Sequence, residues 1–535
     1  MYNTIKKGIL ITFSIGILIT LVILVFFREK MNIYAGNTFT VPNPALLFIG
    51  LCLLIPPLLV NLKHGERIER FLKSNTSVIL LISSVLLLGI RLLVSIEGYF
   101  TPGWDAGTIL NTTTSLVRNI EIDSLTTEYY SMFPNNMLIT WVYTLIGKIA
   151  IIFNNDAIGY ALLVFQSLIC VLCLLLIFLI SRDITGSIKM AWFAYTVAYL
   201  FVGLSPWFMI AYSDATGIVF PLLIIRLYQI SKKSQKPYIV LLLRVLLGIV
   251  SMASFYIKPQ LFISFIAVII IDIVGLFKRE PSVQNVGFKR KIVTITTNLA
   301  ATLIGVTMFL TLYNCVIVPS IPIETDPDLR AGINHYIMMG LNDSSDGAFA
   351  APDYLYSYSF DTVEERDAAD MELAIQRLRE YGAKGLLRHL ADKHVENYGD
   401  GTFGWFIEGG FIKKWSRNTN YGLGNFIKAT ISGNGVKNHV FKNTFQMIWL
   451  TLLFLIIFLP FSNGLRGKES VLPHCFDTET LLTIALAVIG LTIFELLFEA
   501  RARYLFCYAP FYVIMAAIGY RNICKLFQRH SRNNY

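Results

Sequence analysis

Long apolar runs separated by short polar segments make up most of the chain. A membrane-spanning helix needs about 20 mainly apolar residues to cross about 30 Å of hydrocarbon. Runs of this kind predict transmembrane helices at residues 9–27, 43–61, 77–96, 157–180, 188–210, 214–230, 239–257, 260–277, 292–318, 444–462, 480–498 and 504–520. A further apolar run lies at residues 134–153. The pattern therefore predicts an all-α polytopic membrane protein with about twelve spans.

Basic residues indicate which ends of the spans face the cytoplasm, because short cytoplasmic loops are enriched in lysine and arginine. The basic positions that we assign to the cytoplasm are Lys6, Lys7, Lys63, Arg67, Arg70, Lys73, Lys232, Lys233, Lys236, Lys278, Arg279, Lys289, Arg290, Lys291, Arg521, Lys525, Arg529 and Arg532. Both termini are then cytoplasmic, and residues 97–133 and Asn154 both lie outside. Residues 134–153 therefore cannot cross, and we expect them to lie along or dip into the outer leaflet.

This topology divides the chain into three parts. Residues 1–318 form an N-terminal transmembrane module, whose first external loop, 97–156, carries catalytic and juxtamembrane helices. Residues 319–441 form an external segment that is too long for a bare connection; within it, residues 361–398 have apolar side chains at helical spacing. Residues 442–535 form the C-terminal transmembrane helices and a cytoplasmic tail.

Composition narrows the class of protein. The chain has 535 residues, of which 55% are hydrophobic and 15% charged, and this excludes an ordinary soluble protein. The first apolar run lacks a small-residue cleavage pattern, which predicts a retained span in a multi-pass cell-membrane protein. The formal net charge of +10 comes from short loops and the tail, so it reflects membrane orientation and membrane-lipid contact. No nucleic-acid partner is expected.

The first external loop is the strongest candidate for chemistry. It combines a Pro-Gly-Trp-Asp turn at 102–105 with an aromatic cluster and a Phe-Pro-Asn-Asn corner at 133–136. Its acids, which face the single strong base Arg118, are Glu97, Asp105, Glu121, Asp123 and Glu128. Structured polar loops often carry function. The alternative is a hydrophilic connection between two helices.

Three polar groups at span ends share the external face with this loop. They are residues 212–214, 256–260 and 499–504. Charged groups near the bilayer suggest function, and one acid facing Lys258, Arg501 and Arg503 suits an anionic substrate. Simpler roles stay open, because the arginines could reach for headgroups and the acids Asp105 and Asp214 could cap helices. Lys258 could likewise cap a helix break.

Motifs for other chemistries are missing from the sequence. It contains no phosphate-binding loop, HExxH motif, nucleophile elbow or His/Cys metal spacing. The four external histidines, which we interpret as surface residues, are His335, His389, His394 and His439. The sequence thus predicts no metal-ligand set, although it leaves room for a divalent cation.

Taken in order, the polar groups resemble the GT-C class of polytopic glycosyltransferases. The resemblance is to the branch of protein O-mannosyltransferases and lipid A aminoarabinose transferases, and is nearest to their Gram-positive bacterial relatives. The segments that carry the resemblance are 103–107, 129–136, 212–214, 257–259, 334–341 and 499–504. Each motif is short, but together they follow the order of the family across most of the chain.

The resemblance implies a many-helix fold whose active site faces away from the cytoplasm, and a sugar donor carried on polyprenyl phosphate. It implies Asp105 as the catalytic acid residue of the first loop, with Lys258, Arg501 and Arg503 binding the donor phosphate. The residues implied for the sugar or acceptor pocket are Trp104, Tyr129, Phe133, Asn135, Asn136, Asp214, His335, Glu499 and Tyr504.

Two departures from the family pattern limit this inference. Many relatives have two adjacent acids in the first loop, whereas Ala106 follows Asp105 here, and the proline-rich corner is Phe-Pro-Asn-Asn. They leave the sugar and the acceptor open and weaken the argument for a metal.

The expected activity is transfer of a sugar from a polyprenyl-phosphate donor to a cell-envelope glycan, lipid or protein, with inversion by direct displacement. The alternatives are a lipid-linked glycan flippase or transporter, a glycan polymerase or ligase, and a noncatalytic scaffold. A flippase should have polar or broken helices near mid-membrane. The charged residues that stand away from span ends are Arg91, Arg226 and Arg244.

Overall fold

The fold consists almost entirely of helices. A computed structural model describes residues 2–28, 39–277, 287–407, 411–461 and 477–533. The first ten α-helices are α1 (Tyr2–Phe26), α2 (Asn43–Glu97), α3 (Trp104–Arg118), α4 (Ser124–Met132), α5 (Asn136–Ala150), α6 (Ile158–Thr185), α7 (Ile188–Ala198), α8 (Ser213–Gly217), α9 (Val219–Lys233) and α10 (Pro237–Ile257). The next ten are α11 (Ile263–Gly275), α12 (Gly287–Leu312), α13 (Ile333–Gly340), α14 (Ala351–Ser357), α15 (Val363–Tyr398), α16 (Gly422–Ile431), α17 (Val436–Ile456), α18 (Thr478–Leu497), α19 (Ala502–Phe506) and α20 (Ala509–Asn533). Strands β1 (Phe100–Pro102) and β2 (Ile412–Trp415) pair antiparallel.

Many of the helices are long and apolar enough to cross a membrane. Within the described ranges, the eight segments of that kind are Thr4–Phe26, Asn43–Glu97, Ile158–Thr185, Ser213–Lys233, Pro237–Ile257, Lys289–Ser320, Val436–Phe461 and Thr478–Leu497. Two shorter apolar helices are Ile188–Gly203 and Pro259–Gly275. These segments confirm the prediction of an all-α polytopic membrane protein. Two of the basic positions used for the topology, Lys278 and Arg279, lie outside the described residues.

Helix α2 contains two of the predicted spans. It is 55 residues long and is interrupted at His64, whose backbone is not helical. Near this break Asn61 donates a hydrogen bond to Cys524 Sγ at 3.2 Å. Farther along the second arm Arg91 donates to the carbonyl oxygen of Ser205 at 3.0 Å. The two arms therefore meet near His64 at one end of the helix bundle, and each runs from there toward the other end, where Asn43 donates to the carbonyl oxygen of Leu24 at 2.8 Å.

We call one end of the bundle the far end. The far end contains the start of α1, the end of α6, the end of α9, the start of α18 and the later part of α20. Tyr2 donates to Glu479 at 3.1 Å, and Arg226 is paired with Asp183 at 2.7 Å. Since Cys524 lies here with Tyr2, both ends of the described chain are at the far end. The side of the membrane that it faces stays a prediction.

The opposite end, called the site end, holds α3, α4 and α5. Helix α5 begins where Asn136 donates to the hydroxyl of Tyr129 at 2.7 Å. Just after α5, Asp156 pairs with Arg118 at the end of α3, at 3.2 Å. Both ends of α5 thus lie at the same end of the bundle. This geometry agrees with the expectation that residues 134–153 do not cross.

The segment 319–441 packs directly on the bundle. The expected helix at 361–398 is α15, which is broken at Gly382 with φ +54°. Residues 399–407 enter the bundle, where the indole nitrogen of Trp207 donates to the carbonyl oxygen of Thr402 at 3.2 Å. Trp405 is also buried against Trp207, with ring centroids 5.3 Å apart. This segment therefore forms both a layer over the site end and part of the core.

Candidate active site

Asp105 stands at the start of α3, where the chain leaves the small sheet. The amide of Gly103 donates to the carbonyl oxygen of Phe411, just before β2. The next residue, Trp104, has φ +50°, a left-handed conformation that costs a non-glycine residue about 1–3 kcal/mol and is concentrated at functional sites. The sheet and this strained turn together fix the direction in which α3, and with it Asp105, begins.

The carboxylate of Asp105 is held by phenol groups. Tyr212 donates a hydrogen bond to Asp105 Oδ2 at 2.8 Å, while the Asp105 side chain remains half-buried. Burial first, and then the negative charge of Asp105, raises the pKa of both Tyr129 and Tyr212 well above the usual value. Both phenols therefore stay protonated near neutral pH. Asp105 is not a helix cap, because the N-cap of α3 is Gly103, without a side-chain bond.

Arg503 lies beside this carboxylate–phenol group. Its guanidinium carbon is 5.7 Å from the ring centroid of Tyr212, the same tyrosine that donates to Asp105, and 5.7 Å from that of Tyr504. Arg503 starts in the turn between α18 and α20, within the short α19. A fixed cation is thereby placed next to the candidate catalytic acid.

Glu499 organises the rest of that turn. It accepts hydrogen bonds from Arg501 Nε at 2.9 Å and from the hydroxyl of Tyr504 at 2.8 Å. Burial alone would raise the pKa of Glu499, but the charges of Arg501 and Arg503 lower it below its usual value. Glu499 is therefore ionised, and it offsets part of the positive charge that was predicted to meet a phosphate.

Lys258 and Asp214 form a buried ion pair with each other. Lys258 is the C-cap residue of α10, and its ammonium pairs with Asp214 Oδ1 and lies 4.3 Å from the ring centroid of Tyr504. The second oxygen of Asp214 is buried without a hydrogen-bond partner. Asp214 does not cap a helix, because Tyr212 holds the N-cap position of α8. The resemblance had assigned these two residues to different parts of the site.

Two buried ionisable residues extend the cluster beyond the predicted set. Glu495 on α18 is fully buried, and within the part of the chain that the structure describes neither of its carboxylate oxygens has a hydrogen-bond partner. The lysines that act on its charge are Lys258 and Lys393. The position of Glu495 inside the apolar run 480–498 could have indicated a functional residue from the sequence alone.

The sequence did not indicate that Lys393 is functional, because a lysine is an ordinary residue in the polar helix α15. Its ammonium donates to the carbonyl oxygen of Gly340 at 2.7 Å. Burial lowers the pKa of Lys393 to about 7, against the opposing charges of Glu499 and Glu495. Lys393 thus connects the layer formed by segment 319–441 to the buried charges of the bundle.

Helix α13 belongs to the layer that segment 319–441 forms over the site end, and it packs on the same site. Burial and then the charge of Glu499 raise the pKa of Tyr336, and Asp105 also contributes. The hydroxyl of Tyr336 is therefore within electrostatic range of both carboxylates. Sequence reasoning named its neighbour His335 and missed Tyr336.

The side chain of His335 itself lies inside the layer formed by segment 319–441. Its Nδ1 is 2.7 Å from Ser357 Oγ, which donates to Asp370 at 2.6 Å. The interpretation of His335 and His389 as surface residues is wrong, since their exposed fractions are 2% and 1%. Both are covered because α13, α14 and α15 fold back on one another, which sequence polarity does not reveal.

The other predicted pocket residues are placed differently. Phe133 packs against Tyr129 with ring centroids 5.5 Å apart, so it belongs to the aromatic wall beside Asp105. Trp104 is 48% exposed and contacts Phe411 edge-on at 5.9 Å. Asn135 is the N-cap residue of α5 but makes no side-chain capping bond.

The cluster contains equal numbers of acidic and basic side chains. Its carboxylates are Asp105, Asp214, Glu495 and Glu499, and its cations are Lys258, Lys393, Arg501 and Arg503. Among the described residues, no group of three or more His, Cys, Asp or Glu side chains is arranged to hold a metal ion. The use of a divalent cation therefore stays untested.

Comparison with known proteins identifies a family without an assigned chemistry. No curated protein and no solved structure matches the chain. One family model, described as conserved hypothetical integral membrane protein, matches residues 1–524. Its description contains no reference to glycosyl transfer, so the likeness to the GT-C class stays a proposal. Because the match covers nearly the whole sequence, the chain belongs to this family of conserved hypothetical integral membrane proteins.

Proposed function

We propose that the protein is a GT-C-like membrane glycosyltransferase that moves a sugar from a polyprenyl-phosphate donor to a cell-envelope acceptor. The observation that carries the proposal is the half-buried carboxylate of Asp105, which Tyr212 holds at 2.8 Å beside the guanidinium of Arg503. A base next to a fixed cation is what displacement of a phosphate by a hydroxyl requires.

The orientation of the bundle supports an external site. The basic segments at 63–73 and 232–236 lie at the far end with both ends of the described chain, and positive charge favours the cytoplasmic side. If the two arms of α2 count separately, and α7, α11 and α20 are included, the bundle has about twelve passes. The site end then faces outward, where nucleotide sugars are not available and a lipid-linked donor is needed.

The reaction is a single displacement at the anomeric carbon. Asp105 removes the proton from the acceptor hydroxyl as its oxygen bonds to the anomeric carbon. The bond between that carbon and the phosphate oxygen breaks, and its electron pair leaves with the polyprenyl phosphate. Because attack and departure occur on opposite faces, the anomeric configuration is inverted.

Each named neighbour of Asp105 has a distinct task in this scheme. Arg503 meets the charge that develops on the departing phosphate, a contact worth about 3 kcal/mol in a preorganised site. Arg501 and Lys258, which are paired with Glu499 and Asp214, add further positive charge beside it. Tyr212 orients the carboxylate of Asp105 toward the acceptor hydroxyl.

The segment 319–441 is proposed to hold the acceptor over the site. Tyr336 from α13 lies close enough to Glu499 and Asp105 for both charges to raise its pKa. The amide of Ala500 donates to the carbonyl oxygen of Gly347 at 2.8 Å, which fastens this layer to the turn that carries Arg501 and Arg503. The acceptor itself, whether glycan, lipid or protein, is left open by these contacts.

A matched pair of variants in the first loop tests the proposal. Asp105→Asn keeps the shape of the side chain but removes the base, so transfer from a labelled polyprenyl-phosphate hexose should fall at least 100-fold. Glu121→Gln removes an exposed acid from the same loop and should retain transfer. Equal activity of the two variants in membrane vesicles would remove Asp105 from the mechanism.

The flippase alternative receives less support from the span arginines. Arg226 is paired with Asp183 at the far end. Arg244 forms a close ion pair with Asp272 at 2.5 Å. Arg91 is bonded to the carbonyl oxygen of Ser205, near the site end. Each of these side chains makes at least one polar contact within the helix bundle, which is consistent with a structural role. A glycan polymerase or ligase would use the same lipid phosphate and stays the nearest enzymatic alternative.

A further inference from the structure

A deep apolar groove opens on the side of the bundle formed by α2, α7, α16 and α17. Its volume is about 680 Å³. Representative lining residues are Leu53, Val197, Phe426, Val440 and Leu455. Along α17 the lining runs from Val436 to Leu455, so the groove starts at the site end and continues along the apolar part of the helix. Its position on membrane-spanning helices exposes it to the hydrocarbon of the bilayer.

Lys437 is the charged residue that lines this groove. Its ammonium lies 4.7 Å from the ring centroid of Phe426, and the side chain is exposed. Among the described residues, no carboxylate forms an ion pair with it. A cation at one end of an apolar channel matches a molecule with an anionic head and an apolar chain.

The surrounding sequence strengthens this charge complementarity. Residues 411–442, which contain β2, α16 and the start of α17, carry no acid. The six basic residues of this stretch are Lys413, Lys414, Arg417, Lys428, Lys437 and Lys442. In the orientation proposed above, the positive-inside preference does not account for them, because this stretch lies at the site end and therefore outside. An anionic partner does account for them.

The groove is separate from the candidate active site. None of the residues Asp105, Lys258, Arg501 and Arg503 lines it. Between them stands a buried aromatic layer that includes Trp405, whose indole nitrogen donates to the carbonyl oxygen of Ile431 at 2.8 Å, on the last residue of α16. A donor lipid seated in the groove would therefore have its phosphate away from Asp105.

We propose that this groove binds one anionic phospholipid of the surrounding leaflet. An acyl chain lies along α17, and the phosphate meets Lys437, while the neighbouring basic residues add long-range attraction. A soluble anionic polymer would not need the apolar lining. The site is distinct from the proposed transfer reaction and does not depend on it.

Native mass spectrometry of the purified full-length protein tests the site. The protein in mild detergent is titrated with phosphatidylglycerol, phosphatidylcholine or polyprenyl phosphate. The wild type should retain one phosphatidylglycerol with an affinity at least fivefold higher than for phosphatidylcholine. Lys437→Gln should lower phosphatidylglycerol affinity about fivefold, since one lysine near an anionic lipid surface contributes about 1 kcal/mol. Lys437→Arg should retain it.

Two further variants distinguish the contribution of the lipid head group from that of the acyl chain. Thr444→Trp fills the groove from α17 without altering Lys437, and it should reduce retention of both phospholipids. Lys413→Gln removes an exposed charge from the same acid-free stretch, away from the groove lining, and should change affinity less than twofold. Unchanged binding in Lys437→Gln and Thr444→Trp, or tighter binding of polyprenyl phosphate than of phosphatidylglycerol, overturns the proposal. Displacement of phosphatidylglycerol by an anionic glycan polymer that is insensitive to Thr444→Trp overturns it as well.

Discussion

The buried pair of Lys258 and Asp214 allows a quantitative test of how the site is built. Both side chains are nearly inaccessible, with exposed fractions of 7% and 0%. When one partner of such a pair is removed, the other charge is left uncompensated, which typically costs about 3–5 kcal/mol. Replacing both partners by neutral residues of similar size costs far less, because both desolvation penalties disappear together.

Lys258→Met and Asp214→Asn should therefore each lower the free energy of unfolding by about 3–5 kcal/mol, whereas the double variant should recover most of that loss. Lys258→Met should be the worse single change. It also removes a cation that acts on Glu495, while Lys258 in Asp214→Asn keeps Glu495 as an electrostatic partner. The free energies come from denaturation of the purified protein in detergent micelles.

The double variant also distinguishes a structural role of Lys258 from a role in sugar transfer. If Lys258 helps to meet the donor phosphate, the stable double variant should still transfer sugar more slowly than the wild type, with most of the loss in kcat. Strict additivity of the two single free-energy changes would refute the pairing and its assigned magnitude. Full transfer activity in the stable double variant would restrict Lys258 to a structural role.

Three other predictions concern single positions. Tyr212→Phe removes a hydrogen bond to a charged group, worth about 2 kcal/mol, so kcat/KM should fall about 30-fold, and an unchanged value in a steady-state transfer assay would contradict the role of this phenol. The pKa of Lys393 is lowered to about 7 by burial, so between about pH 7 and 10.5 the unfolded state binds more protons. The free energy of unfolding should therefore rise with pH, by up to about 1.4 kcal/mol per unit, and Lys393→Met should flatten that slope in pH-dependent denaturation. In Gly107→Ala the new Cβ would stand 2.7 Å from the carbonyl oxygen of Pro102, so transfer should fall, whereas Gly89→Ala, with no atom within 4 Å, should match the wild type in the same assay.

The apolar runs made the membrane helices predictable, because span length depends only on local composition. The grouping of Asp105, Tyr212 and Arg503 at one end of the bundle could also be foreseen, since the predicted topology sends these three loops to one side. The joining of the predicted spans 43–61 and 77–96 in the single helix α2 could not, because the polar residues between them suggested a loop.

Side-chain partners could not be read from the sequence. The pairing of Lys258 with Asp214 depends on how α10 packs beside α8, and many packings satisfy the same apolar pattern. Lys393 and Tyr336 belong to a polar segment that looks like a surface layer, and only its folding onto the turn at 499–504 buries them. Conversely, Trp104 and His335 match the family pattern, but their side chains contact Phe411 and Ser357.

The most direct test of the account uses purified wild-type protein in liposomes that carry radiolabelled polyprenyl-phosphate sugars inside and outside, together with envelope acceptors. One experiment follows both label on the acceptor and movement of intact lipid-linked sugar between leaflets. The account predicts label on the acceptor with inverted anomeric configuration and no accelerated movement between leaflets. Movement of intact lipid-linked sugar without transfer, across a panel of sugars and acceptors, would contradict a glycosyltransferase and favour a flippase.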